Sequence, residues 1–165
     1  MLIYVMIVSC EGLPGFYCCT RVGAHGKNFT MYKFRSMRKN APELATDAIE
    51  NPEQYIFPLG KMLRVSSLDE LPQLINILKG EMSFVGPRPA LESQQVLLEA
   101  RKSAGLSNLR PGLSGFAQIA GRDNNSIDEK VRLEVLHLRH NGLSDYLRVV
   151  ARTIAVVLLR LNIRH

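Results

Sequence analysis

The chain opens on an almost wholly apolar run, Met1–Cys10, and closes on a long segment in which apolar residues are interrupted by regularly spaced arginines. Between them the hydrophobic pattern predicts short elements. Phe16–Val22 and Asn28–Arg35 read as two strands around a turn at Gly23–Lys27, which is a hairpin. A short helix is expected after Asn40, with Pro42 in its first turn, and Asn51–Gly60, with two prolines, reads as loop. Leu74–Lys79 is helical in pattern and stopped by Gly80, Met82–Val85 is a short strand, and Ala90–Ala104 is a helix closed by Gly105. Leu109–Asp123 is punctuated by Pro111-Gly112, Gly115 and Gly121, which predicts turns with one short strand. Ser126 and Glu129 have capping-box spacing for a helix to about His140. Asn141-Gly142 ends it, and Ser144 is placed to cap a last helix to about Ile163. The expected fold class is α+β: a small, mostly helical domain carrying a β-hairpin.

The apolar start decides little by itself. Ten helical residues reach about 15 Å against a hydrocarbon core of about 30 Å, so Met1–Cys10 does not cross a bilayer alone. It lacks the basic n-region and cleavage site of a signal peptide. It is either a core segment or the remnant of a longer membrane-associated element. Residues 1–12 are therefore set apart from a domain over 13–165. The last segment places Arg148, Arg152, Arg160 and Arg164 within about 160° of one another on a helix. Such an amphipathic helix either lies at an anionic membrane surface or packs with a solvated arginine face.

Charge sharpens the picture. The net charge is +6 over 165 residues, with a pI near 9.5. The excess gathers late: seven cations from Lys130 onward face only Glu134 and Asp145. Anionic partners follow, whether phosphorylated substrates, nucleic acid or an acidic membrane face. Nucleic acid is set aside, because no helix-turn-helix, zinc or RNA-binding signature accompanies the basic residues. Cys10, Cys18 and Cys19 offer neither a disulfide framework nor a metal spacing. His137 and His140 stand one helical turn apart without a third ligand, which favours a surface or packing role.

The segment Arg64–Gln73 carries the densest chemistry. Ser67 and Glu70 have capping-box spacing, which puts Asp69 and Glu70 in the first turn of a helix. Acids there stabilise the positive end of a helix by ~0.3–1 kcal/mol, and that structural role accounts for them on its own. Pro72 complicates it, since a proline four residues past the cap lacks a donor and forces a kink or a late start. Two adjacent carboxylates on a constrained turn also suit chemistry: one attacks or takes a proton, the other holds a divalent cation. A carboxylate nucleophile needs an electrophile whose charge is masked. Lys33 and Arg35 share a strand face, Arg64 precedes Asp69 by five residues, and Arg88 is held between Pro87 and Pro89. A stiffly presented guanidinium suits bidentate phosphate recognition. Arg122, after Gly121, is a further loop cation. For each of these, a surface charge or a structural ion pair is the plainer alternative.

Three stretches together resemble one family: GFYCCTRVGAHGKNFTMYKFRSM (15–37), LGKMLRVSSLDELPQLINILKGEMSFVGPRPAL (59–91) and LRPGLSGFAQIAGRDN (109–124). They are similar, in the same order, to the bacterial sugar transferases, the monotopic phosphoglycosyl transferases that initiate surface-glycan assembly. The resemblance implies transfer of a sugar-1-phosphate from a UDP-sugar to undecaprenyl or another polyprenyl phosphate, releasing UMP. It implies that Asp69 is the nucleophile that forms a covalent phosphosugar intermediate, and that Glu70 binds an essential Mg²⁺. It further implies a phosphate or active-site contact from Arg64, a substrate-phosphate or scaffold contact from Lys33, and a nucleotide-side contact from Pro87-Arg88-Pro89. A membrane-associated protein at the cytoplasmic face of the bacterial inner membrane is expected, with amphipathic interfacial helices. A catalytically silent family member acting as a scaffolding subunit is the alternative. Neither the sugar nor the glycan pathway follows from the sequence, and a homo-oligomer is left open.

Overall fold

The hairpin forms where the sequence places it. In the computed structural model, which describes residues 1–42, 44, 49–120, 126–139 and 142–158, β1 (Phe16–Val22) pairs antiparallel with β2 (Asn28–Phe34), from Phe16 opposite Phe34 to Val22 opposite Asn28. Side chains alternate across a strand, so Phe29, Met31 and Lys33 share one face of β2. Phe29 and Met31 are buried on that face with Met82. The same face therefore begins as core and ends as a cation.

Helix α1 (Leu2–Glu11) closes the far end of the hairpin. Its Ile7 is fully buried with Phe57 and Leu63, while Tyr4, Phe16 and Phe34 form a ladder with ring centroids 4.9 and 5.3 Å apart. Leu2, Val5 and Met6 of the same helix are exposed. Met1–Cys10 is thus helical and partly core; no described helix is long and apolar enough to cross a membrane.

The segment expected as loop contains the start of a helix. Pro52–Tyr55 is a 3₁₀ turn, and α2 (Pro58–Val65) begins at Pro58. Proline is at home in a first helical turn, where its missing N–H is not needed. Phe57, immediately before it, is buried and anchors the entry. Gly60 lets α2 press against the chain after β2: a Cβ there would lie 2.0 Å from the Ser36 carbonyl oxygen.

The dyad segment departs from the expected capping box. Ser67 has left-handed backbone (φ 55°, ψ 17°), whereas a cap residue needs extended backbone, and its side chain caps nothing. Leu68–Gln73 is instead a 3₁₀ turn with Pro72 inside it, and Glu70 N–H donates to Ser67 O at 3.2 Å. The tighter ladder accommodates the proline that an α-helix would reject. The expected late helix follows as α3 (Leu74–Leu78), ended by Gly80 at φ 76°.

Asn76, fully buried on α3, ties this segment to the hairpin. Its Oδ1 accepts from Tyr32 N–H at 3.2 Å, and its Nδ2 donates to Thr30 O and to Glu81 Oε2, both at 2.7 Å. A second small sheet pairs β3 (Ser83–Val85) in parallel with β4 (Gly112–Ser114). α4 (Gln95–Ser103) begins five residues later than expected. Ala90 is held in an extended bridge to Val22, whose N–H donates to Ala90 O at 2.9 Å.

α5 (Phe116–Ala120) lies in the stretch expected to be turns and one strand. At five residues it is too short to show a helical period. α6 (Ile127–Arg139) opens on the expected cap, with Glu129 N–H donating to Ser126 Oγ at 3.2 Å. α7 (Leu143–Leu158) starts one residue before the expected cap at Ser144, and Tyr146 N–H donates to Gly142 O. It packs through buried Val149 and through Thr153 Oγ1, 2.6 Å from Ser114 Oγ. Two small sheets among seven helices make the α+β class observed among the described residues. The expected helix after Asn40, the histidine pair at 140, and Arg160 and Arg164 of the arginine face fall on or reach residues outside those described.

Candidate active site around Asp69 and Glu70

A cavity of about 290 Å³ opens between the hairpin, the 3₁₀ turn and helices α4–α6. Asp69 lies in its wall and is only 7% exposed. Burial pushes its carboxyl up from the usual range to about 6. The Lys33 ammonium opposes that rise, Glu70 adds to it, and the guanidinium groups of Arg64 and Arg88 oppose it. Desolvation disfavours the charged form and nearby cations favour it; here desolvation wins, and the group still ionises below neutrality.

Glu70 holds the cations in place. Lys33 Nζ donates to Glu70 Oε1 at 2.8 Å, and Arg88 Nη1 stands 3.7 Å from the same oxygen. Both Lys33 and Glu70 are largely buried, whereas Arg88 is about half exposed. The lysine arrives because β2 extends its core face by one alternation. The arginine arrives because the loop after β3 is stiffened by two prolines.

The structure brings most of the expected site residues together. Asp69, Arg64, Lys33, Arg35, Arg88 and Pro89 all line the cavity. Glu70 reaches it through Lys33 and Arg88. Arg35 carries a buried Nη1 with no hydrogen-bond partner among the described residues. Pro87 plays a different part: it is buried, and its carbonyl accepts from Gly112 N–H at 2.8 Å, which joins the loop to β4. Arg122 lies outside the described residues. His137 belongs to packing, with its ring 6.1 Å from Phe116 and its imidazole pushed toward neutrality by burial.

Sequence reasoning did not single out the far wall. Arg101 on α4 forms a buried bidentate pair with Glu134 on α6, at 2.8 and 2.5 Å. Gln118 on α5 also contributes to the lining, and its amide is buried with no hydrogen-bond partner among the described residues. The only trace of Gln118 in the sequence was its place inside the 109–124 stretch, where it read as one polar residue in a run of turns.

A metal ion would find no ready cage: the described residues contain no group of three or more His, Cys, Asp or Glu side chains suited to one. Mg²⁺ does not require one. It is commonly bound through one or two carboxylates together with substrate phosphates and water. An acid beside a cavity lined by phosphate-seeking cations is compatible with that mode, and Glu70 would be the protein donor that the resemblance implies.

The profile of the family described as "Bacterial sugar transferase" matches residues 1–160. The chain is 36% identical over 176 residues to the "Exopolysaccharide production protein ExoY" of Rhizobium meliloti, covering 96% of this chain and 76% of that one. It is 36% identical over 168 residues to the "Undecaprenyl-phosphate galactose phosphotransferase" of Salmonella typhimurium, covering 93% of this chain and 35% of the relative. It is 34% identical over 179 residues to the "UDP-galactose-lipid carrier transferase" of Erwinia amylovora, covering 97% and 36%. The chain thus spans about a third of the length of several curated relatives and about three quarters of others.

Proposed function

The chain belongs to the bacterial sugar transferase family, and from that premise we propose that it moves a sugar-1-phosphate from a UDP-sugar to a polyprenyl phosphate such as undecaprenyl phosphate. The observation that carries this reading is Asp69 in the wall of a cavity whose other charged groups include Lys33, Arg35, Arg64 and Arg88. An acid surrounded by cations serves an anionic substrate poorly as a mere surface charge and well as a nucleophile toward phosphorus. The relatives' names point to the same donor and acceptor classes.

Asp69 carboxylate attacks the sugar-bearing phosphorus of the donor. The bond from that phosphorus to the UMP oxygen breaks, and UMP leaves with the electron pair. A phosphate oxygen of the polyprenyl acceptor then attacks the same phosphorus and frees the Asp69 carboxylate. Lys33, Arg35, Arg64 and Arg88 neutralise the diphosphate, and fixed charges of this kind act most strongly in a site that excludes water. Glu70 holds Lys33 and Arg88 in register before substrate arrives. Mg²⁺, when bound by Glu70, supplies further neutralisation of the phosphate oxygens.

The acceptor is a lipid, and the dyad segment suits a lipid surface. Leu68, Leu71, Leu74, Ile75 and Leu78 are exposed on the turn and helix that carry and follow the two acids. Exposed apolar side chains on this segment and exposed arginines on α7, Arg148 and Arg152, both favour an anionic membrane face. We propose that the domain works at the cytoplasmic face of the bacterial inner membrane, a reading that the exposed apolar and basic side chains support only as far as a membrane surface.

The test is UMP release from a panel of UDP-sugars with Mg²⁺ and undecaprenyl phosphate in detergent, beside an Asp69→Asn variant. Release that requires Mg²⁺ and disappears in the variant supports the reading and identifies the sugar. Equal release by the variant would remove Asp69 from the chemistry, and no release from any donor favours a silent scaffolding subunit.

A further inference from the structure

Lys33 and Glu70 meet from two separate elements, β2 and the 3₁₀ turn, so their contact depends on how those elements are held together. The hairpin sheet has two strands, and the outer edge of β2 offers its peptide groups to another partner. Asn76 takes them. Its Oδ1 accepts from Tyr32 N–H at 3.2 Å and its Nδ2 donates to Thr30 O at 2.7 Å, the two groups that a further strand would engage. The second Nδ2 hydrogen goes to Glu81 Oε2, also at 2.7 Å, and the Asn76 carbonyl accepts from Glu81 and Met82 N–H at 3.0 and 3.2 Å. Asn76 is fully buried, and both hydrogens of its amide are used. This network determines which way the amide faces. Reversed, it would set a donor against Tyr32 N–H and an oxygen against Thr30 O and the Glu81 carboxylate.

Both ends of this clamp lie beside the reacting groups. Tyr32 immediately precedes Lys33 on β2. Asn76 is on α3, which continues the turn Leu68–Gln73 without a break, so it shares one run of helical backbone with Asp69 and Glu70. Apolar contact across the same seam comes from Phe29, Met31, Met82 and Ile77. Two of these are methionines, which fill space without fixing a position closely. Directional bonds to backbone supply the register that such packing leaves loose.

Building on the donor chemistry of the proposed function, we propose that Asn76 is a positioning residue for the reaction. By bonding the edge of β2 it sets Lys33 where its charge serves the phosphoryl group that Asp69 attacks. Asn76 acts through Lys33 and not on the substrate itself. A misplacement of about 1 Å from a remote change can cost about 10²-fold in rate, so loss of the clamp is read in turnover as well as in stability. Glu81 bonds the same amide from the segment after α3, which separates a structural bond from a positioning one on a single side chain.

The experiment measures UMP release, KM for the UDP-sugar and urea unfolding for the wild type, Asn76→Ala, Glu81→Ala, Lys33→Met and Asn76→Ala combined with Lys33→Met. Per folded molecule, Asn76→Ala is expected to lose about tenfold to 10²-fold in kcat, with KM within about threefold. Glu81→Ala is expected to lose stability and keep kcat within about twofold. In the Lys33→Met background Asn76→Ala costs no further rate, since the group it positions is gone. Equal rate losses in Asn76→Ala and Glu81→Ala, or a full further loss in the Lys33→Met background, overturn the proposal, because each marks a structural role. Two measurements need no turnover. In the wild type, hydrogen exchange at the Tyr32 amide is expected to be slowed about 10²-fold or more, and unprotected exchange there overturns the clamp without any variant having to fold. Reductive methylation of Lys33, relative to exposed Lys102, is expected to quicken about threefold or more in Asn76→Ala, and an unchanged ratio overturns the proposal. A wild type that releases no UMP from any donor defeats the donor reading instead, and exchange and methylation then decide the clamp.

Discussion

Lys33 Nζ and Glu70 Oε1 meet at 2.8 Å across 37 residues of chain, joining the last turn-in of a hairpin strand to the 3₁₀ turn that carries Asp69. Arg88 approaches the same oxygen at 3.7 Å, so one carboxylate organises two cations beside the acid assigned to attack. The cluster is therefore assembled before substrate enters, which is the arrangement that electrostatic catalysis requires.

Replacing the lysine tests that organisation. Lys33→Met keeps most of the aliphatic stem and removes the charge. We expect UMP release to fall by about 10²-fold or more, the usual loss when one preorganised charge-stabilising group is removed. Stability should change by only about 1 kcal/mol, because the pair is partly solvent-screened and Glu70 retains Arg88. Steady-state rates alongside urea unfolding separate the two. A large loss of stability with a near-normal rate per folded molecule would make the pair structural.

Asp69 supplies a pH prediction. Its folded pKa, about 6, lies above the value of an unfolded aspartate. The folded state therefore holds the proton more tightly, and its stability declines as pH rises from about 4 to above 6. Asp69→Asn removes that penalty. In metal-free protein the variant should be more stable than the wild type by on the order of 2–3 kcal/mol at pH 7.5, with the difference fading below about pH 4. Chemical denaturation at a series of pH values checks this, and a pH-independent difference would argue that burial does not raise this carboxyl. In the same range the ionised, attacking form is lost, so UMP release should fall as pH drops through about 6.

How much of this was legible in the sequence follows from what each signal depends on. The hairpin was legible because β-prone residues flank a glycine-bounded turn, and the start of α6 because Ser126 and Glu129 report on adjacent backbone. The apparent cap at Ser67 misled, because the same spacing was overridden by left-handed backbone and by Pro72, which select a 3₁₀ turn. Pro58 read as a loop marker when it was the first residue of α2, a distinction that rests on Phe57 being buried by α1. The clustering of Lys33, Arg64, Arg88 and Asp69 was expected from charge chemistry and family resemblance. Gln118 was not, since a single amide becomes informative only when its burial and its lack of partners are visible.

The exposed apolar row beside the dyad leads to a prediction about lipid. Ile75 and Leu78 on α3 are exposed, so Ile75→Asp with Leu78→Asp should leave folding within about 1 kcal/mol of wild type. The double variant should lose sedimentation with vesicles containing phosphatidylglycerol, and should turn over polyprenyl phosphate in those vesicles far more slowly. Binding of UMP should be unchanged, because neither side chain lines the cavity. Unaltered vesicle binding would move the membrane-facing surface elsewhere, with the arginines of α7 as the next candidates.

The pair between Arg101 and Glu134 sets the stiffness of the cavity's far wall. Glu134 is 3% exposed and receives both hydrogen bonds of a bidentate guanidinium, so α4 and α6 are joined through a desolvated charge pair. Removing one partner leaves the other buried and uncompensated, which typically costs about 3–5 kcal/mol. Arg101→Met should therefore destabilise the domain by that order. Removing both charges together should not, since an apolar pair of similar volume at such a site is often neutral. Arg101→Met with Glu134→Leu is expected to recover most of the loss, and denaturant unfolding of the two single variants and the double variant measures the coupling. If the double variant regains stability but loses affinity for UMP, the pair serves to hold the wall that carries Gln118. If the double variant instead loses the sum of the two single losses, the residues are uncoupled and contribute through packing alone.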